Sequence, residues 1–214
     1  MKKTIYAAIF GMLLLTVAIG MCAVDSYAQD AKAAGAKTTL DNLMDAYNGE
    51  VNAHTRYLAF AEKANKEGYD IAASLFRAAA AAEKVHYERH AVLIKKLGGT
   101  PKVVAETPIV NGTRDNLEAA FKAETYEKSV MYPEFLAQAK KENVKGVIED
   151  FEDTAAAEEV HAQLYASMIK NLKFSEGLVK DFFVCPVCGN IVDALTSLMC
   201  PICGTDTKKF RMIN

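Results

Sequence analysis

The sequence predicts a mainly α protein, a four-helix bundle followed by a small four-cysteine metal domain, and three observations predict it. Apolar residues recur at three-four spacing from Thr38 to Leu172 with few breaks. Each of the four helical stretches carries glutamate on its apolar face. After Gly177 the helical period stops, and two Cys-Pro-x-Cys-Gly units take over. Trp is absent, aromatic residues make up only 9% and the middle of the chain is rich in Ala, which favours helix and rules out an all-β fold. The 214 residues, 51% hydrophobic and 24% charged, are enough to bury a core. A formal charge of −2 without any basic block gives no electrostatic case for nucleic acid. The expected domains are 36–174 for the bundle and 178–214 for the cysteine module, preceded by a leader over 1–28.

That leader begins with Lys2 and Lys3, continues as an uncharged run from Ile5 to Val24, and ends on small residues at Ser26 and Ala28. This is the pattern of a secretory signal peptide. Cleavage after Ala28 removes Lys2, Lys3 and Asp25, leaving 23 basic and 26 acidic residues in a periplasmic protein that begins at Gln29 and has no membrane segment. The alternative is an uncleaved anchor, since the run approaches the roughly 20 residues that span a bilayer. Met21 is bulky where lipidation of Cys22 would want a small residue. No twin-arginine pair precedes the run, so export should occur unfolded, with metal loaded outside the cytoplasm.

The first helix starts at a Thr38/Asp41 capping box, carries Leu40, Leu43, Tyr47, Val51, Tyr57 and Ala61 inward, and stops near Gly68. Asp70 is a candidate cap for the second, whose stripe of Ala72, Leu75, Ala79, Leu93 and Leu97 ends at Gly98-Gly99. A Pro-rich crossover with Pro101 and Pro108 then joins two helical hairpins. Asp115 with Glu118 repeats the capping pattern for a third helix bearing Leu117, Ala120, Phe121, Met131 and Phe135, with a kink expected at Pro133. Asn143 to Gly146 form a turn, and Val147, Phe151, Thr154, Tyr165, Met168 and Leu172 mark the fourth helix.

Acid on these stripes requires an explanation. Glu50 lies between Tyr47 and Tyr57; Glu83 and His86 between Ala79 and Leu93; Glu124 and Glu127 between Phe121 and Met131; Glu158 and His161 between Thr154 and Tyr165. Burying unpaired carboxylates costs several kcal/mol each, and carboxylates grouped around one axis also repel. No Lys or Arg on the stripes neutralises them, so divalent metal ions are the economical answer. Glu-x-x-His places both side chains on one helix face, and two such units with single glutamates form the ligand set of a di-iron or di-manganese bundle. The register repeats: the steps from Glu83 to Glu158 and from His86 to His161 are equal, and the step from Glu50 to Glu124 is shorter by a single position. The hairpins are internal copies that place two metals on a pseudo-twofold axis. His54 and His90, each at i+4 from Glu50 and His86 respectively, can share the inward face as further ligands, as partners of ligands or as core histidines. Glu62 and Glu159 read as solvated charges.

Cys185, Cys188, Cys200 and Cys203 form paired knuckles, a strong signal for one metal site. Two disulfides are the competing reading in an exported chain. Zinc and iron both suit tetrahedral sulfur, and spacing does not separate them.

Glu50 followed by Arg56-Tyr57, Glu83-Lys84-Val85-His86, Glu124-Thr125-Tyr126-Glu127 running into Met131-Tyr132-Pro133, Glu158-Glu159-Val160-His161 and the cysteine tail together resemble rubrerythrin, over roughly Thr38 to Asn214. The resemblance implies a ferritin-like bundle with a rubredoxin-like domain. It implies two irons in a carboxylate-bridged site on Glu50, Glu83, His86, Glu124, Glu127, Glu158 and His161, and a third iron, rather than zinc, on the cysteines. It also implies that Glu127 exchanges with His86 as the redox state changes, and that Tyr57 and Tyr132 lie close to the irons. The activity implied is reduction of hydrogen peroxide to water, with electrons from an unidentified donor passing through the cysteine site. The competing class is a ferroxidase that oxidises and handles iron, which needs no electron carrier. A purely structural zinc protein leaves the inward glutamates unexplained. A helix of about 27 residues is roughly 40 Å long, so a tail site beyond its end sits too far from a mid-bundle iron pair. A head-to-tail homodimer is therefore expected, in which one chain's cysteines serve the other's glutamates.

Overall fold

The computed structural model describes residues 37–214; the expected leader and its cleavage site lie outside them. Helix α1 (Thr39–Lys66) begins at Thr38, whose side chain accepts from the Asp41 backbone N–H while the Asp41 carboxylate accepts from Thr38, the capping box the sequence predicts. Helix α2 (Asp70–Lys96) pairs with α1 along its length. Asp70 is its first helical residue rather than its cap, placing a negative charge at the positive end of the helix dipole. The crossover is held across the bundle by side chains of α1: Asn48 Oδ1 accepts from Val104 N at 2.7 Å, and Asn52 donates to Val104 O and accepts from Glu106 N.

Helix α3 (Thr113–Tyr126) starts ahead of the expected Asp115, because Glu67 reaches from the end of α1 to accept from both the N–H and the hydroxyl of Thr113. A π-helical turn, Glu127–Met131, follows and leads directly into α4 (Tyr132–Glu142). The break expected at Pro133 is thus a one-residue π insertion on its N-terminal side, and Pro133 sits in the first turn of α4, where its missing N–H costs little. Asn143 closes α4 in the left-handed conformation (φ 56°), and α5 runs Lys145–Asn171. Among the described residues no helix is long and apolar enough to cross a membrane.

After a 3-10 turn (Leu172–Phe174) the chain doubles back. Gly177 N–H bonds Gly68 O at 3.1 Å, and strands β1 (Phe182–Val184), β2 (Ile191–Val192) and β3 (Arg211–Ile213) form an antiparallel sheet in the order β2-β1-β3. Phe182, Val184 and Ile191 are buried in the same core as Phe76, Ala79 and Leu117 of the bundle. Residues 37–214 form one compact unit.

Candidate metal centres

Helix periodicity brings the predicted acids together. Glu50 comes from α1, Glu83 and His86 from α2, Glu124 from the end of α3, and Glu158 and His161 from α5, all essentially inaccessible to solvent. Ligand atoms of Glu50, Glu83, His86 and Glu158 lie within 4.8 Å of one another, as do those of Glu83, Glu124, Glu158 and His161. Two adjoining sets share Glu83 and Glu158, the arrangement two bridged ions require. His86 Nδ1 is 2.9 Å from both Glu83 and Glu158, and His161 Nδ1 is 2.7 Å from Glu158. Glu127 belongs to neither set; it begins the π turn beside them and, unlike the others, keeps part of its surface exposed.

Oxygens of Glu50, Glu83, Glu124, Glu127 and Glu158, and Nδ1 of His161, have no hydrogen-bond partner although buried. Such orphaned acceptors are costly in a folded chain and fit cations. Electrostatics agree. Burial, then repulsion from Glu158, lifts Glu124 to about 7 and drives Glu83 well above the usual carboxylate range; burial and then Glu50 do the same to Glu127. Burial also opposes charge on Glu158, but His86 and His161 outweigh it and hold that carboxylate far below the usual range.

The two halves support this cluster in matching ways. Tyr57 donates to Glu124 Oε1 at 2.6 Å, and Tyr132, its counterpart in the second hairpin, donates to Glu50 Oε1. Each tyrosine therefore braces the carboxylate of the other half. Around Tyr57 stand Phe60, Phe76 and Tyr165; around Tyr132 stand Phe135, Phe151 and His90. Phe60 corresponds to Phe135 and Phe76 to Phe151 at the same offset that relates Glu83 to Glu158, and His90 corresponds to Tyr165. The offset grows by one position between Glu124 and Tyr132, where the π turn inserts its extra residue.

His90 enters the site's surroundings without touching the ligand sets, bonding Asp150 through Nδ1 at 2.6 Å and Tyr132 OH through Nε2 at 3.1 Å. His54 stays apart and partly exposed, bonded to Ala80 O at 2.7 Å. Glu62 is exposed, and Glu159 pairs with Lys128 at the surface. Sequence reading misses Asp150, although its place on the stripe of Val147, Phe151 and Thr154 carries the same signal that finds the glutamates. It also misses Arg89, whose Nε lies 2.7 Å from Asp150.

In the tail, the four sulfurs lie within 4.8 Å of one another and are unbridged, with Cys185–Cys203 and Cys188–Cys200 each at 3.6 Å. A tetrahedron with metal–sulfur bonds of about 2.3 Å has edges of roughly 3.8 Å, so the cage fits one ion, whereas a disulfide needs about 2.05 Å. Backbone N–H groups of Val187 and Cys188 point at Cys185, and those of Ile202 and Cys203 at Cys200. Contact with Cys188 lowers the Cys185 thiol and favours its thiolate, while the same contact and burial raise Cys188.

The knuckle meets the acidic cluster directly. Its consecutive carbonyls of Val187, Cys188 and Gly189 accept from Arg89 (3.0 Å), His86 Nε2 (3.0 Å) and His161 Nε2 (3.1 Å). Gly189, at φ 75°, permits this approach, since a Cβ there would collide with His86 Nε2. The expected separation of the two sites within one chain does not hold. The tail folds back along α2 and α5, so its cysteines sit beside the middle of the bundle and not beyond its end.

A four-helix bundle with two inward Glu-x-x-His units, coupled to a four-thiolate knuckle, defines a di-iron carboxylate protein with a rubredoxin-like module. The rubrerythrin family profile matches residues 41–173. Nigerythrin of Nitratidesulfovibrio vulgaris is 35% identical over 167 residues, covering 78% of this chain and 82% of that protein. Rubrerythrin-2 of Clostridium acetobutylicum is 33% identical, covering 81% and 95% respectively. Fully reduced, all-ferrous nigerythrin superposes with a TM-score of 0.77 at 33% identity, covering 83% of this chain and 88% of that one. The chain belongs to the rubrerythrin family. Its cofactors are accordingly iron: a pair in the carboxylate and histidine site and one in the four-cysteine site.

Proposed function

We propose that this protein is a peroxidase that reduces hydrogen peroxide to water, with electrons reaching the di-iron site through the four-cysteine iron. The observation that carries this reading is the seam, where a histidine of each half of the cluster hydrogen-bonds to the peptide carbonyl of a cysteine knuckle. An iron-storing or ferroxidase bundle has no use for such a connection. The di-iron pair, when bound, supplies two electrons and open coordination positions to peroxide.

The chain's own residues do the rest. Glu50, Glu83, Glu124, Glu158, His86 and His161 hold the metals, and the Nε2–H bonds to Cys188 and Gly189 fix both imidazoles with Nδ1 facing the ions. Glu127, on the π turn and least enclosed, is the carboxylate free to change partners, as the family resemblance implies for exchange with His86. Tyr57 and Tyr132, with burial holding both phenols well above their ordinary pKa, keep their protons and offer them to Glu124 and Glu50. Cys185, Cys188, Cys200 and Cys203 hold the electron carrier.

Purified holoprotein given a reductant should consume peroxide in steady state. Net release of Fe(III) from added Fe(II) without peroxide turnover would favour the ferroxidase reading instead. The reading includes export: envelope fractions should contain a chain beginning at Gln29. The seam contacts form within one chain. A head-to-tail homodimer joins this reading as an exchange of modules across residues 175–181 that keeps the same contacts. Mixing Cys200→Ser with Glu83→Ala chains separates the two, because only exchanged modules restore turnover.

A further inference from the structure

We infer that Asp150 and His90 form a proton relay that feeds the Tyr132 end of the di-iron site, a histidine–aspartate pair that the Tyr57 end lacks. The inference rests on the peroxidase reading for its chemistry but not for its test. The internal repeat carries it. Five aromatic contacts recur in both halves, with ring centroids 5.4 to 6.3 Å apart. Two of the chemical differences between the copies are linked. Where the Tyr57 half has Tyr165, the Tyr132 half has His90; where it has Leu75, the Tyr132 half has Asp150, each at the offset that relates Tyr57 to Tyr132. Tyr165 OH has no hydrogen-bond partner, so no chain of side chains continues outward from it, and the polar group beside Tyr57 is Arg56, which stays charged and stands over its ring.

The Tyr132 box instead continues outward without a gap. Tyr132 OH donates to Glu50; His90 Nε2 is 3.1 Å from that hydroxyl; His90 Nδ1 is 2.6 Å from Asp150 Oδ2. All four side chains are at most 2% exposed. Asp150 lines a cavity of about 450 Å³ at the seam between bundle and knuckle, together with Arg89, Asp153, Pro186 and Arg211. Arg89 ties Asp150 and Asp153 to Val187 O, so the docked module forms part of the cavity wall. Burial opposes charge on Asp150, but His90 and Arg89 outweigh it, leaving a carboxylate at the outer end.

Donor counting sets the direction. When Glu50 is an anionic ligand, Tyr132 donates to it, His90 Nε2–H donates to the Tyr132 oxygen, and Nδ1–H donates to Asp150. The His90 proton on Nε2 passes to Tyr132 as the Tyr132 proton passes inward. The neutral imidazole left behind tautomerises from Nδ1–H to Nε2–H, and Asp150 then passes to Nδ1 a proton taken from water in the cavity, which restores the starting state. The reaction served is balanced: hydrogen peroxide plus two electrons from the di-iron(II) pair plus two protons from water gives two waters, breaking one O–O bond and forming two O–H bonds.

The test uses the full chain with zinc in its metal sites, so that NMR lines stay sharp, and follows exchange of the two buried tyrosine hydroxyl protons with solvent. Tyr57 is the internal control, being equally buried and equally bonded to a carboxylate. Tyr132 should exchange at least about tenfold faster than Tyr57, and Asp150→Asn or His90→Tyr, which installs the residue of the other half, should remove the difference. Equal rates in the unaltered protein, or a Tyr132 rate untouched by both variants, would overturn the relay. In iron-loaded protein, the same variants should slow oxidation of the fully reduced chain by peroxide about 10- to 100-fold and raise its solvent isotope effect, with iron content unchanged. If unaltered protein does not react with peroxide at all, the peroxidase reading fails, while the exchange measurement still decides the relay.

Discussion

The Tyr57 and Tyr132 halves of the bundle are near copies in what they bury and different in what they connect to. Both brace a glutamate of the opposite half with a tyrosine hydroxyl, and both wrap that tyrosine in matching aromatic rings. Only the second half carries the π turn with Glu127, whose counterpart at either offset is Asn52 or Ala53, and only the second half is served by His90 and Asp150. The repeat retains what holds a metal pair in place, because packing and ligation are symmetric demands. In the proposed reading, ligand exchange and proton supply are needed on one side only, and there the copies differ.

Removing a shared ligand should have the largest effect. Glu83→Ala takes one of the two carboxylates common to both ligand sets, and metal analysis should show loss of the iron pair along with activity. Glu127→Ala lies outside both sets and should keep more of its iron while losing turnover. Full iron occupancy in Glu83→Ala would break the symmetric assignment.

Gly189→Ala attacks the seam from one side. The new Cβ collides with His86 but leaves His161 without a direct clash, so the module should lift from the first half. Steady-state turnover should fall about 10- to 100-fold while both iron sites stay filled and the pre-reduced protein still completes one turnover. Retention of full steady-state turnover would remove the seam from the electron route.

The third expectation concerns pH and metal-free protein. A carboxyl whose folded pKa is raised holds its proton more tightly in the native state, so its contribution is complete below about 4.5 and is lost as pH climbs, to about 7 for Glu124. Glu83 and Glu127 act the same way over a wider range, as do the raised His86 and His161, while Glu158 alone among the cluster's ligands pulls oppositely. The thermal midpoint of metal-free protein should therefore fall between about pH 5 and pH 8, and iron should abolish that slope because the ligands are then held deprotonated. A midpoint that rises with pH in the metal-free chain would contradict the crowding of acids.

The smallest effect belongs to His54, which bonds only a backbone carbonyl across α1 and α2. His54→Gln should leave iron content and peroxide turnover unchanged and shift stability by no more than about 0.5 kcal/mol. Loss of iron in this variant would bring His54 into the site after all.

Much of this is legible along the chain. Acids on apolar stripes have few physical explanations, so Glu50, Glu83, Glu124 and Glu158 identify themselves by position. Asp150 meets the same criterion but has no acidic counterpart in the other copy, where Leu75 stands. The π turn is also encoded, as the one-residue change in repeat offset between Glu124 and Tyr132, yet Pro133 offers a kink as the simpler reading. The start of α3 at Thr113 depends on Glu67, 46 residues away, and no local propensity carries that information.

By itself the sequence determined the four helices, the internal repeat, the inward acids and the four-thiolate cage, because each is written in periodicity or short spacing that acts within a few turns of chain. Only the tertiary structure decided that the cysteine module returns to its own bundle, that the carbonyls of Val187, Cys188 and Gly189 meet Arg89, His86 and His161, and that His90 links Asp150 to Tyr132. Those contacts join residues 28 to 102 positions apart. They depend on how strands and helices share one core, a balance of packing and hydrogen bonding that no local pattern contains.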